Sequence, residues 1–132
     1  MTTQALEKVI EGTPTERRFL CEQSFGLFAL YYFSNYFKYA LAPYHYDMVQ
    51  ELHDLMEGKV REVAWIMYRE SAKTTFAKLF TIWLIAYKKR KYINVDSFDK
   101  ENAERILFDV AFELTNNARI NADFPMLFSK KR

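Results

Sequence analysis

Apolar side chains recur at helical spacing along most of the chain and predict five helices. Pro14 stands at the start of the second, Pro43 ends it, and Gly58 stops the third. Thr13 or Thr15 is the expected N-cap of the second helix. The predicted helices cover residues 1–11 (a short helix or tail), 15–39, 44–57, 73–87 and about 98–117.

Two short runs depart from this pattern and are typical of strands. Residues 63–68, Val-Ala-Trp-Ile-Met-Tyr, are continuously apolar, as in a strand that is buried on both faces. Residues 92–96 form a second short run. Two strands joined through a helix make a right-handed βαβ unit with a parallel sheet. The pattern therefore predicts an α/β fold with a helical N-terminal lead.

The aromatic stretch from residue 24 to residue 42 is the membrane candidate of the sequence. It is long enough to span a bilayer and contains one charge, Lys38. However, Ser24, Ser34 and Asn35 interrupt it, and its many Tyr and Phe side chains favour an interface or a core edge. A buried aromatic helix, able to pack on a neighbouring domain, is therefore favoured over a membrane span.

Composition limits the possible functions of the chain. Its 132 residues, half of them hydrophobic and 17% aromatic, suffice for one packed domain and exclude wholesale disorder. The net charge of +2 is too small to indicate nucleic-acid binding by itself. Cys21 is the single cysteine, so a disulfide framework is excluded. His45 and His53 are eight residues apart, which is not a metal-ligand spacing.

Candidate chemistry lies between the first predicted strand and the following helix. A Walker A site uses backbone N–H groups, a helix N-terminus and a Lys to bind phosphate, and a Ser or Thr to bind Mg²⁺. Lys73 and Thr74 have this context, but Met67 and Ala72 stand where the standard pattern has glycine. On motif and context alone, an exposed first helical turn is an equally open interpretation. The residues of the segment are Arg69, Glu70, Ser71, Ala72, Lys73, Thr74 and Thr75.

Residues 68–114 resemble the Walker A region of the large terminase subunits of tailed phages. In that family an Arg stands four residues before the P-loop Lys, as Arg69 does here, and a Ser or Thr follows the Lys. The resemblance implies a partial P-loop NTPase domain of the RecA-like type, with a parallel sheet. Weaker similarity spans roughly residues 25–128. Further residues that match the family pattern are Trp83-Leu84, Asp96-Ser97 and Asn102-Ala103.

The same resemblance implies an ATP site with Mg²⁺ in the segment from Arg69 to Thr75. Lys73 would hold the β- and γ-phosphates, Thr74 would bind Mg²⁺, and Arg69 would act as a finger in cis, so Arg69 and Lys73 are the expected catalytic residues. Cations around the γ-phosphate suit phosphoryl transfer. His45 stands near the family's adenine-contacting position, which often holds Gln, and is an expected ATP contact.

By resemblance, the chain is expected to be the ATP-binding portion of a motor that drives DNA into procapsids. The implied partners are double-stranded DNA, the portal, the small terminase subunit and further copies of the chain, in the cytoplasm of an infected bacterium. Residues 1–60 would form the helical lead and residues 61–132 an incomplete P-loop portion. No apolar strand ending in paired acids follows Lys73, and the nuclease carboxylates are absent. We therefore expect nucleotide binding with poor hydrolysis.

Two other functions stay open from the sequence. One is a different P-loop ATPase, such as a helicase-like protein, although Arg69 argues against it. The other is a non-enzymatic helical interaction or membrane-associated module that uses residues 24–42 to bind a partner. Residues 88–91 could contact DNA, but a solvated helix end is favoured. We expect Cys21 to be an idle thiol, because no His or Lys stands near it in sequence.

Overall fold

A computed structural model describes residues 3–37, 43–63, 73–90, 92–94 and 100–125 of the chain. Within these ranges the chain forms α-helices and a 3₁₀ turn at Ser34–Tyr36, and no strand. The helices are α1 Thr3–Glu11, α2 Pro14–Gln23, α3 Phe25–Tyr32, α4 Pro43–Met56, α5 Lys73–Ala86, α6 Lys100–Asn116 and α7 Ala118–Asp123.

The predicted α/β fold, a partial P-loop NTPase domain with a parallel sheet, is wrong. Residues 92–94 of the second predicted strand form no strand, and Tyr92 is 91% exposed, whereas strands of parallel sheets are buried on both faces. Of the first predicted strand only Val63 is described, and it is not in a strand either. A short apolar run does not by itself establish a strand, and Tyr92 and Asn94 of the second run are exposed rather than buried.

Ser24 divides the single helix that the sequence predicts over residues 15–39. Its backbone is extended (φ −143°, ψ 109°), and its hydroxyl accepts a hydrogen bond from the Leu27 N–H at 3.2 Å. Ser24 is thus the N-cap of α3 and the residue at which α2 ends. Serine favours this position because its hydroxyl can replace the missing helical acceptor.

Most of the other predicted helix boundaries agree closely with the structure, but α3 ends at Tyr32 and a 3₁₀ turn follows at Ser34–Tyr36, whereas residues 15–39 were predicted as one helix. Thr13 caps α2 in a capping box: its hydroxyl accepts from the Glu16 N–H, and the Glu16 carboxylate accepts from the Thr13 N–H. Helix α4 begins at Pro43 and ends shortly before Gly58, whose φ of 81° suits glycine. Helix α5 runs over Lys73–Ala86, where residues 73–87 were predicted.

Helix α3 lies at the centre of the core and contacts α1, α2, α4 and α5. The Phe25 ring packs against Trp83 of α5 at 5.7 Å between centroids, and the Trp83 indole N–H donates to the Cys21 carbonyl oxygen at 2.9 Å. One buried cluster includes residues from Val9 to Phe124. The boundary proposed between residues 60 and 61 stays a prediction, although helices on both sides of it contribute to this core.

Of the aromatic stretch, Ser34, Asn35 and Tyr36 are exposed, but most of residues 25–33 are buried inside the chain's own core. Phe25, Phe28, Tyr32 and Phe33 are all buried there. This confirms the buried aromatic segment that the sequence favoured. In the part of the chain that the structure describes, no helix has the length and apolar character that a membrane span requires.

Candidate functional site

The predicted phosphate segment is described only from Lys73 onwards. Lys73 is the first residue of α5, Thr74 is exposed and Thr75 is half-buried. The prediction that a helix begins at Lys73 is therefore confirmed. The remaining predicted site residues, Arg69, Glu70, Ser71 and Ala72, lie outside the described residues.

The start of α5 has an electrostatic field that suits an anion. The first backbone N–H groups of a helix have no acceptor within it, and they carry the positive end of the helix dipole. The helix is 14 residues long, and its first turn contains no acidic residue. A phosphate placed here would meet N–H groups that have no acceptor within the helix, and no opposing carboxylate from that turn.

His45 lies beside this helix start. It belongs to the first turns of α4, and its ring centroid is 5.5 Å from that of Phe76, in the first turn of α5. On its other side the His45 ring contacts Tyr44 at 4.3 Å. The structure therefore brings His45 close to the helix that begins with Lys73 and Thr74. The contact between His45 and ATP stays a prediction.

Two carboxylates of α6 face α5 about one turn beyond its start. Asp109 pairs with Lys78 at 2.5 Å, and Glu113 accepts a hydrogen bond from the Tyr36 hydroxyl at 2.8 Å. Together with Thr75, these side chains line a cavity of about 30 Å³. Burial, followed by the Glu113 hydrogen bond, raises the pKa of Tyr36 to about 12. The pairing secures α6 against α5.

Lys78 and Asp109 are 31 residues apart in the sequence, so no local pattern connects them. Asp109 and Glu113 are four residues apart on α6, and Thr75 and Lys78 are three apart on α5, so each pair shares a helix face. This spacing was the sequence signal from which two polar helix faces could have been predicted. The described residues contain no group of three or more His, Cys, Asp and Glu side chains that could hold a metal ion.

Asp123 is the most deeply buried charged group that the structure describes, at 2% exposure. Arg17 contacts both carboxylate oxygens, at 2.8 and 3.1 Å, and the Tyr32 hydroxyl donates at 2.7 Å. Burial opposes ionisation of Asp123, but the hydrogen bonds from Arg17 and Tyr32 outweigh it and hold the pKa of Asp123 below its usual range. These contacts join α2, α3 and α7, which makes the cluster structural.

The basic segment at residues 88–91 is partly engaged with the protein itself. The Lys89 ammonium pairs with Glu22 at 3.5 Å and lies 5.4 Å from the centroid of the Trp83 ring. The Arg90 guanidinium donates to the Met56 carbonyl oxygen at 3.0 Å. Lys89 and Arg90 therefore join the segment after α5 to α2 and α4, whereas the sequence favoured a solvated helix end. Contact with DNA stays a prediction.

The thiol of Cys21 is fully buried, and burial raises its pKa to about 12. A thiol with so high a pKa is almost wholly protonated near neutral pH and is a poor nucleophile. Cys21 is therefore buried, and its lack of a chemical role stays a prediction.

Comparisons of the chain with protein-family models, with curated proteins and with solved structures give no match. The resemblance to terminases therefore depends on residues 68–114 of the sequence and stays a prediction.

Proposed function

We propose that this chain is the ATP-binding portion of a viral DNA-packaging motor, similar to a large terminase subunit. One observation carries the proposal: the Lys73-Thr74 pair forms the very start of a 14-residue helix. This is where a P-loop needs its Lys and its hydroxyl, because the helix N-terminus lies behind the phosphates. The proposal depends on this helix start and on the loop sequence, not on the predicted sheet.

The roles of the residues follow the resemblance. Lys73 holds the β- and γ-phosphates, Thr74 binds Mg²⁺ and Arg69 stabilises the charge that develops on the γ-phosphate. Residues 70–72 supply backbone N–H groups. The position of His45 beside Phe76 supports a role for His45 near the base of the nucleotide.

Hydrolysis by this chain alone is proposed to be weak, because the sequence supplies no Walker B acids. Double-stranded DNA, the portal, the small terminase subunit and further copies of the chain are the proposed partners, in the cytoplasm of the infected bacterium. The alternative function, a non-enzymatic interaction module, would bind its partner through residues 24–42. Most of residues 25–33 are buried in the chain's own core, which disfavours this alternative because buried side chains cannot contact a partner.

Thermal unfolding with and without Mg-ATP tests the proposal. A ligand at about 100 times its dissociation constant adds about 2.7 kcal/mol to the folded state, so the unfolding midpoint should rise. In Lys73→Ala the rise should disappear, because the cation that holds the phosphates is lost. Lys88→Ala is the matched control, since Lys88 is exposed just beyond the other end of α5.

Adenosine and Mg-ADP distinguish phosphate recognition from binding of the base. We expect stabilisation by Mg-ATP and Mg-ADP and none by adenosine at equal concentration. Absence of any shift with millimolar Mg-ATP, or an equal shift in Lys73→Ala, would contradict the proposal.

A further inference from the structure

His53 joins α4 to the beginning of α3. Its Nε2 atom accepts a hydrogen bond from the backbone N–H of Phe25 at 2.9 Å, and Phe25 is the first residue of α3. An N–H at this position has no acceptor within its own helix, so the imidazole supplies one. The ring also packs edge-on against Trp83, with the centroids 5.3 Å apart.

This contact requires a neutral imidazole. Only an unprotonated ring nitrogen can accept a hydrogen bond, so the proton of neutral His53 must be on Nδ1. In the imidazolium form both nitrogens are donors, and Nε2–H would then point at the Phe25 N–H. The added positive charge would also lie at the positive end of the α3 dipole.

The charges around His53 do not compensate for the unfavourable contact between a protonated imidazole and the Phe25 N–H. Burial lowers the pKa of His53, and the carboxylates of Glu57 and Asp54 oppose that effect without cancelling it. Helix α3 contributes no charged side chain. The ionisable groups near the ring are Asp54 and Tyr46 on α4, Glu57 just after α4, and Lys89 after α5. Lys89 pairs with Glu22 on α2, and Arg90 donates to the Met56 carbonyl oxygen.

We propose that His53 is an acid-sensitive switch, and that its protonation releases α4 from the N-terminus of α3. The switch does not depend on the proposed ATP site. The switch should act at mildly acidic pH, because histidine in an unfolded chain titrates near pH 6.5. The folded state disfavours the proton, so the stability that this contact contributes is complete above about pH 6.5 and is lost as the pH falls below it.

The chain contains two histidines, which gives a matched pair of variants. His53→Gln removes the titrating group and keeps an oxygen that can accept the hydrogen bond, whereas His45→Gln removes the other histidine. Between pH 7.5 and pH 5, the folding equilibrium constant of the wild type should fall by up to about tenfold for each unit by which the pKa is lowered. His45→Gln should show the same fall, and His53→Gln should not.

Nuclear magnetic resonance of the wild-type protein gives a second test that needs no variant. At pH 7.5 the Nε2 atom of His53 should have the ¹⁵N shift of an unprotonated nitrogen. The Phe25 amide resonance should move with the titration of His53. A His53 that carries its proton on Nε2 at pH 7.5, or a folded His53→Gln with the acid sensitivity of the wild type, would overturn the proposal.

Discussion

Asp123 shows how a single buried charge fixes the arrangement of three helices. A carboxylate removed from water is tolerated when cations and donors satisfy it, and Arg17 and Tyr32 occupy both of its oxygens. The backbone carbonyl of Asp123 accepts a further hydrogen bond from Arg18 at 2.6 Å. Replacing the whole of such a cluster by apolar side chains changes the free energy of unfolding little. Removing only one partner is strongly destabilising, because the other charge is then buried without a counter-charge.

We therefore expect Asp123→Asn to destabilise the protein strongly. The neutral amide keeps the shape of the side chain but leaves the Arg17 guanidinium without its counter-charge, a loss of about 3 kcal/mol in the free energy of unfolding. Urea denaturation measures this. Asp109→Asn is the matched control: its ion pair with Lys78 is much more exposed, so the loss should stay below about 1 kcal/mol. Equal losses in the two variants would contradict this account.

At the scale of the element, the sequence predicted helices better than it predicted their interruptions. Proline and glycine marked both ends of α4, and the structure agrees. The break at Ser24 was missed because neither residue stands there, although Ser24 has the character of an N-cap. The second predicted strand is absent over its described residues 92–94 for a different reason, since a short apolar run carries no reliable periodicity.

The cap at Ser24 can be tested by removing its hydroxyl. Ser24→Ala should lower the free energy of unfolding by about 1 kcal/mol, because the Leu27 N–H loses its acceptor. Ser24→Asp should retain most of the stability, since a carboxylate also caps and favours the helix dipole. Ser34→Ala, at an exposed position in the 3₁₀ turn, is the control and should change little. A loss in Ser34→Ala as large as in Ser24→Ala would argue against a capping role.

Helix α6 shows the limit of pattern analysis within a correctly predicted element. Leu107 and Val110 are both apolar and lie three residues apart, a spacing that puts them on one helix face. Val110 is buried, but Leu107 is 49% exposed. Phe108 and Phe112 are also exposed and stack on each other with their centroids 6.2 Å apart. The sequence shows which positions are apolar, but the choice of the buried face depends on the neighbouring helix.

At the scale of the whole molecule, one core joins helices that the sequence assigned to two segments. The sequence correctly placed the start of α5, and the resemblance drew attention to His45, which lies beside it. The Asp123 cluster was not predictable in the same way. Arg17 and Asp123 are 106 residues apart, and no local periodicity connects residues at that distance.

A single core predicts a single unfolding transition. Far-ultraviolet circular dichroism and tryptophan fluorescence should report the same urea midpoint. Phe28→Ala should lower the free energy of unfolding by about 3–5 kcal/mol, because Phe28 is fully buried, and both probes should shift together. Phe112→Ala removes an exposed ring and should cost no more than about 1 kcal/mol. Separate midpoints for the two probes would favour two independently folding segments.

The Asp123 cluster also has a consequence for the order of events during synthesis. Arg17 and Tyr32 leave the ribosome long before the carboxylate that satisfies them. At about 5–20 residues per second, the 106 residues that separate Arg17 from Asp123 take roughly 5–20 s to translate. The aromatic residues of α3 are without α7 for the whole of that time, and without α5 for the first part of it. Helices α1 to α3 are therefore synthesised before the C-terminal helices that complete their core. During this interval the nascent chain is most open to chaperones and to aggregation.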